Sequence, residues 1–102
     1  HDIEEDAYIF QHHYNDFTVK AITPIEDFNE SFQSDFSDEE FDTIGGLVMN
    51  GFGHMPKRGE TLDLGGFHFK VLRASNRQIY LLQVSRLEPE AETSRAGTAG
   101  GS

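Results

Sequence analysis

Three cations and a pair of glycines are the residues of this chain that could do chemistry. His54, Lys57 and Arg58 fall in one short stretch. The first is a cation that switches near neutral pH and the other two are permanent, a set suited to meeting an anion. Just upstream, Gly45 and Gly46 follow Asp42-Thr43. Glycines in the first turn of a helix let a phosphate approach the backbone N–H groups, and the helix dipole favours its charge. Thr43, Gly45, Gly46, His54, Lys57 and Arg58 are therefore the candidate binding residues, and they offer capture of an anionic ligand. Simpler readings stand beside this one. The cations also suit a solvated turn. Each helical glycine costs about 1 kcal/mol relative to alanine, so a pair persists where something packs closely on the backbone. On that reading Gly46→Val destabilises the fold by about 1–3 kcal/mol.

The rest of the chain lacks the parts of an enzyme. Catalysis needs a nucleophile, a base and a stabilising group brought together. There is no cysteine, and no serine sits in a nucleophile-elbow sequence. His68 lies between Phe67 and Phe69, which places it on the outward side of a strand. His12 and His13 are adjacent and point different ways, so they do not chelate one ion together. The head His1–Asp6 carries four carboxylates, which suit a hard cation, but without a glycine-turned loop they read better as a linker. No rigid metal cage is expected.

Secondary structure must position these residues. Asp16 to Ala21 alternates, with Phe17 and Val19 on one side, as a half-buried strand does. Thr23-Pro24 starts a helix, Thr23 as cap and Pro24 at the first position, with Glu26 and Asp27 in the first turn. Ile25, Phe28 and Phe32 share its inner face. Gln33 to Phe36 is a loop, and Ser37 with Glu40 has the spacing of a capping box that opens one short turn. Asp42 or Thr43 caps a second helix, whose Ile44, Leu47, Val48 and Phe52 face one way. Gly53 and Pro56 end it. Thr61 to Leu64 is a strand, Gly65-Gly66 a hairpin turn, and Phe67, Phe69 and Val71 mark the next strand. Ala74 to Arg77 turns into a last strand, Gln78 to Val84. Tyr80, Leu82 and Val84 oppose Gln83 and Ser85 there, but Ile79 and Leu81 are apolar too, so its inward side stays open. The expected fold is α+β: a four-stranded, mainly antiparallel sheet with two helices on one face.

The stretch Asp42-Thr43-Ile44-Gly45-Gly46-Leu47-Val48, followed by Gly53-His54-Met55-Pro56-Lys57-Arg58-Gly59-Glu60, resembles the signature of the CorC/HlyC transporter-associated domain. Ile25-Glu26-Asp27-Phe28-Asn29-Glu30 upstream and Gly66-Phe67-His68-Phe69-Lys70-Val71 downstream match the same pattern in order, so the resemblance spans about residues 16 to 85. It implies a C-terminal domain of proteins with a CBS-domain pair, linked to magnesium and cobalt efflux. It also implies likeness to a lobe of an FAD-binding domain fold, although fold likeness does not carry function with it.

Composition bounds what remains. A chain of 102 residues is one domain. The expected division is an acidic linker from an upstream domain over 1–15, the α+β domain over 16–87 and a disordered tail over 88–102. Residues 1–42 hold thirteen acidic residues and one basic, against five and seven in 43–102, for a net charge of −10. That balance argues against nucleic acid, since phosphate binding needs a basic surface. No apolar run approaches a membrane span. Two functions are expected. The first is a non-catalytic regulatory or interaction domain of a magnesium and cobalt efflux protein, acting in the cytoplasm or at the cytoplasmic face of the membrane. Its partners would be the neighbouring CBS domains or a second copy in a homodimer. The alternative is a small-ligand module for an adenine nucleotide or flavin such as FAD.

Overall fold

The computed structural model describes residues 8–87. The acidic head His1–Asp6 and the tail over 88–102 lie outside the described residues. Seven elements follow in order: β1 (Ile9–His13), β2 (Asp16–Lys20), α1 (Ile25–Phe32), α2 (Ile44–Phe52), β3 (Thr61–Leu64), β4 (Phe67–Ala74) and β5 (Ile79–Arg86). The strands form one sheet in the order β1-β2-β5-β4-β3, with every neighbouring pair antiparallel. The expected α+β architecture is present, with five strands where four are expected. The fifth is β1, a hairpin partner of β2 that comes from within the stretch read as linker. Most of its residues are exposed, so its sequence lacks the alternation that marks a half-buried strand.

One side of the sheet carries the core. Val19, Phe67, Phe69, Val71, Leu82 and Val84 point from it towards Ile25, Phe28 and Phe32 of α1 and Ile44 and Val48 of α2, and all are buried. Phenylalanine dominates. Phe28 has ring centroids of Phe32, Phe36, Phe67 and Phe69 at 4.4, 5.8, 5.4 and 6.1 Å. Phe17 meets Phe32 edge-on at 4.8 Å. Each fully buried ring contributes about 1.5–3 kcal/mol relative to an exposed one, which lets an 80-residue fold hold together with two short helices. Arg86 closes the lower end: its guanidinium lies over Phe32 and Phe67 and donates to the Phe32 carbonyl at 3.0 Å, on the last turn of α1.

Turn chemistry follows the sequence in most places. Gly65 and Gly66 both take positive φ, as a two-residue hairpin requires, and join Leu64 directly to its partner Phe67. At the β4–β5 turn the Ser75 hydroxyl accepts from the Arg77 and Gln78 amides. The ladder between these strands is irregular from Val71 to Ala74. This displaces Tyr80 from the side of Leu82 and Val84: Ile79 is buried in its place and Tyr80 is exposed.

Two local expectations are corrected. Thr23 does not cap α1. Pro24 occupies the cap position, and the buried Thr23 hydroxyl donates to the Lys20 carbonyl at 2.6 Å, tying the corner after β2. Ser37 and Glu40 form no capping box. The Ser37 hydroxyl accepts from Glu39, and the segment runs as an open loop because Asn29 holds its start. The Asn29 amide donates to the Phe36 carbonyl, while its oxygen accepts from the Phe36 amide and the Ser34 hydroxyl, at 2.9, 3.0 and 2.8 Å.

The tight approach belongs to Gly45, not Gly46. A Cβ at 45 would lie 2.7 Å from the Ala21 Cβ and 2.9 Å from the Ala21 carbonyl oxygen. At 46 it would meet nothing closer than the Phe41 ring at 3.5 Å, an ordinary contact. The expected loss of close packing on Gly46→Val therefore moves to its neighbour. Gly45→Ala is expected to destabilise by about 1–3 kcal/mol, while Gly46→Ala is expected to be neutral or to stabilise by up to about 1 kcal/mol. Urea unfolding of the two variants checks the opposite signs. Asn29→Ala is expected to cost about 1–3 kcal/mol in the same measurement, because it strands both backbone groups of Phe36.

Candidate functional site

α2 is set down by its first turn. The Thr43 hydroxyl accepts from the Gly46 amide at 3.2 Å, which selects Thr43 over Asp42 as the cap. The Ile44 amide donates to the Thr23 carbonyl and the Gly45 amide to the Ala21 carbonyl, at 2.9 and 2.8 Å. The Leu47 amide donates to the Thr43 carbonyl. Every first-turn donor that a phosphate would use thus has a protein acceptor. Gly53, with φ of 75°, ends the helix as read from the sequence, and buried Pro56 follows.

The cations sit in the loop between α2 and β3. Lys57 to Glu60 is a tight turn, with Gly59 at φ 95° and the Glu60 amide donating to the Lys57 carbonyl at 3.0 Å. The Gly59 amide donates to Val71, and the Val71 amide to Glu60, so the turn is laced to β4. One Glu60 carboxylate oxygen accepts from the Lys57 amide at 2.8 Å, and the other lies 3.0 Å from His54 Nε2. His54 is thus paired with an anion of its own loop. Lys57 serves it through the backbone, leaving its side chain and that of Arg58 exposed. His68 is outward, as expected, with Nδ1 2.6 Å from Asp63.

The six candidate residues do not converge on one cavity. They line three shallow depressions in a row. Thr43, Gly45 and Gly46 border the first with Ile22, Met49 and Gln78. Gly46 and His54 border the second with Phe41, Met49, Asn50 and Met55. Lys57 and Arg58 border the third with Met55, Pro56, Ser75 and Asn76. Met49 joins the first two and Met55 the last two. The apolar floor of Ile22, Phe41, Met49 and Met55, together with Glu60, is what sequence reasoning missed. The spacing of Glu60 behind Lys57 and Gly59 could have signalled the turn; the floor depends on which flank of α2 the sheet leaves open. Among the described residues no three His, Asp or Glu side chains are grouped to hold a metal ion, and no helix is long and apolar enough to cross a membrane. Such a surface can bind a partner through adaptable methionines and peripheral charge.

The Glu60 carboxyl is held below the ordinary 4.5, first by the Lys57 amide and then by the hydrogen bond with His54. A carboxyl depressed on folding stabilises the fold fully above its unfolded value, and that contribution is lost as pH falls through the folded value. Carbon-detected NMR is expected to show Glu60 titrating below 4.5. His54→Ala is expected to move its midpoint upward.

The family model of the CorC/HlyC transporter associated domain matches residues 10–88. A magnesium and cobalt efflux protein CorC from Vibrio cholerae is 52% identical over 90 residues, covering 88% of this chain and 31% of that protein. The protein of that name from Escherichia coli K12 is 52% identical over 84 residues, covering 82% of this chain and 29% of its own length. This chain thus spans about a third of the curated relatives it matches. A crystal structure of a Mg2+ and Co2+ transporter (CorC) associated region from Neisseria meningitidis superposes with a TM-score of 0.77 at 42% identity, covering 79% of this chain and all of that one. The chain belongs to the CorC/HlyC transporter-associated domain family.

Proposed function

We propose that this domain is a non-catalytic docking and regulatory module of a magnesium and cobalt efflux protein. The observation that carries the reading is the row of depressions along α2, which has an apolar floor, exposed cations at one end and no nucleophile set against a base. The relatives' names supply the physiological setting, and the small share of their length that this chain covers supplies neighbours for it to touch. The proposed partners are the adjoining CBS domains of the parent chain or a second copy of the domain, at the cytoplasmic face of the membrane. The contact surface is Met49, Asn50, Met55, Lys57 and Arg58. Methionine suits it because a flexible thioether adapts to an irregular partner.

Two changes to the parent protein test this. Deleting residues 16–85 is expected to lower the cobalt tolerance of cells and to alter the assembly of the purified remainder. Changing exposed Asn50, Lys57 and Arg58 to Glu is expected to reproduce the loss of tolerance while the isolated domain keeps its melting temperature. Unchanged tolerance and assembly after the deletion would overturn the proposal. Flavin absorbance in the intact protein and its loss with the deletion would replace it by a cofactor-binding role.

A further inference from the structure

The depressions along α2 carry charge of opposite sign at their two ends. A further depression opens off the middle one, sharing Phe41 and Asn50 with it, and is bordered by Ser37, Glu39 and Glu40. At the far end, beyond Met55, lie Lys57 and Arg58. One path along the open flank of α2 thus runs from two carboxylates, across half-buried Phe41, Met49 and Met55, to two cations. No Lys or Arg occurs from 21 to 56, so nothing in that stretch neutralises the acidic end. Exposed Arg77 follows Asn76 in the β4–β5 turn and adds to the basic end. Among the described residues, Glu39, Glu40, Lys57 and Arg58 make no ion pair; the pairs described are His54–Glu60 and His68–Asp63. Glu60 belongs to the basic loop, but its two oxygens are taken by His54 and by the Lys57 amide.

A two-fold rotation exchanges the ends of such a path. It sets the acidic end of each copy on the basic end of the other, while the apolar centre meets itself, as a closed pair of identical chains requires. Turned the other way, like charges would face each other, so one orientation is selected. We propose that two copies of this domain pair in this way, about an axis over Met49 and Asn50, with Glu39 and Glu40 of each copy against Lys57 and Arg58 of the other. The centre supplies apolar burial, and methionine adapts to a copy of itself. Exposed ion pairs are individually weak, so the charges choose the orientation and the centre holds it. The net charge of −10 disfavours unselective contact between copies, which confines pairing to where acid meets base. Pairing of this kind rests on the docking reading for its surface and commits that surface to one occupant. It is read from the assembly of this chain and not from cobalt tolerance, so it can fail while docking in the parent protein stands.

Sedimentation velocity of the whole chain, at concentrations up to about 1 mM, is expected to show one copy converting reversibly to two. Glu39→Lys/Glu40→Lys and Lys57→Glu/Arg58→Glu are each expected to raise the dissociation constant by about tenfold or more, since each sets like charges together. An equimolar mixture of the two variants is expected to pair again, because opposite charges then meet at both ends. All four positions are exposed, and the melting temperature of each variant shows that it is folded. The chain has no cysteine, so a short bis-maleimide reads the axis without altering the charges. Two Asn50→Cys chains are expected to be joined by it, and two Glu26→Cys chains, changed on the exposed side of α1, are not. A chain that stays single over the whole range overturns the proposal. So do variants that pair as tightly as the unchanged chain, a mixture that stays apart, or equal joining at positions 26 and 50. A chain that stays single, with cobalt tolerance still lost on Lys57→Glu/Arg58→Glu in the parent protein, would assign the surface to a neighbouring domain instead.

Discussion

The approach of α2 to the corner after β2 is the constraint on which the rest of the structure depends. Ile44 and Gly45 donate to the carbonyls of Thr23 and Ala21, and in return the Ile25 amide donates to Asp42. Pro24 and Thr43 complete the contact as an isolated bridge. The two helices are thus joined backbone to backbone at their starts. The absent Cβ of Gly45 makes the distance attainable. The same hydrogen bonds satisfy donors that a helix start otherwise leaves open, so geometry and polar accounting are met by one feature. A glycine that looks like a ligand contact in sequence is here a spacer between main chains.

That seam sets the side of α2 that reaches the core and the flank that stays open. Ile44 and Val48 are turned inward, and Gly46, Met49 and Asn50 are left to border the depressions. The loop after the helix is independently braced by Glu60 and by its lacing to β4. The candidate docking surface is therefore built on rigid backbone although its lining side chains are adaptable. The charges around it follow the layers, with carboxylates on the helix side and cations towards the turns of β4 and β5. An electrostatic division of this kind orients an approaching partner more than it tightens the final contact.

Much of the fold was legible because its signals are local. The alternation of Phe67, Phe69 and Val71, the Gly65-Gly66 turn and the stop at Gly53 and Pro56 each depend on neighbours in sequence. What escaped depends on distant partners. β1 exists because β2 offers an edge, and Ile9 is its one inward apolar residue paired with a buried one. Ser37 and Glu40 have capping-box spacing, yet Asn29 holds the chain in another course. At the site, residue types are legible in the sequence and pairings are not: His54 and Lys57 look open to an anion there, and in the fold Glu60 already meets both.

The position of β5 bears on how the domain comes into being. Among the described strands, the one latest in sequence lies at the centre of the sheet, bonded to β2 on one side and β4 on the other. During synthesis, the β1–β2 hairpin and the β3–β4 hairpin emerge first, each with one edge awaiting a strand that has not been made. Open edges pair readily with whatever extended chain is nearby. The net negative charge of the first half of the chain opposes association between copies over that interval. With β5 in place both edges are consumed together and the Arg86 guanidinium reaches the end of α1, so the two hairpins are joined into one sheet in a single late step.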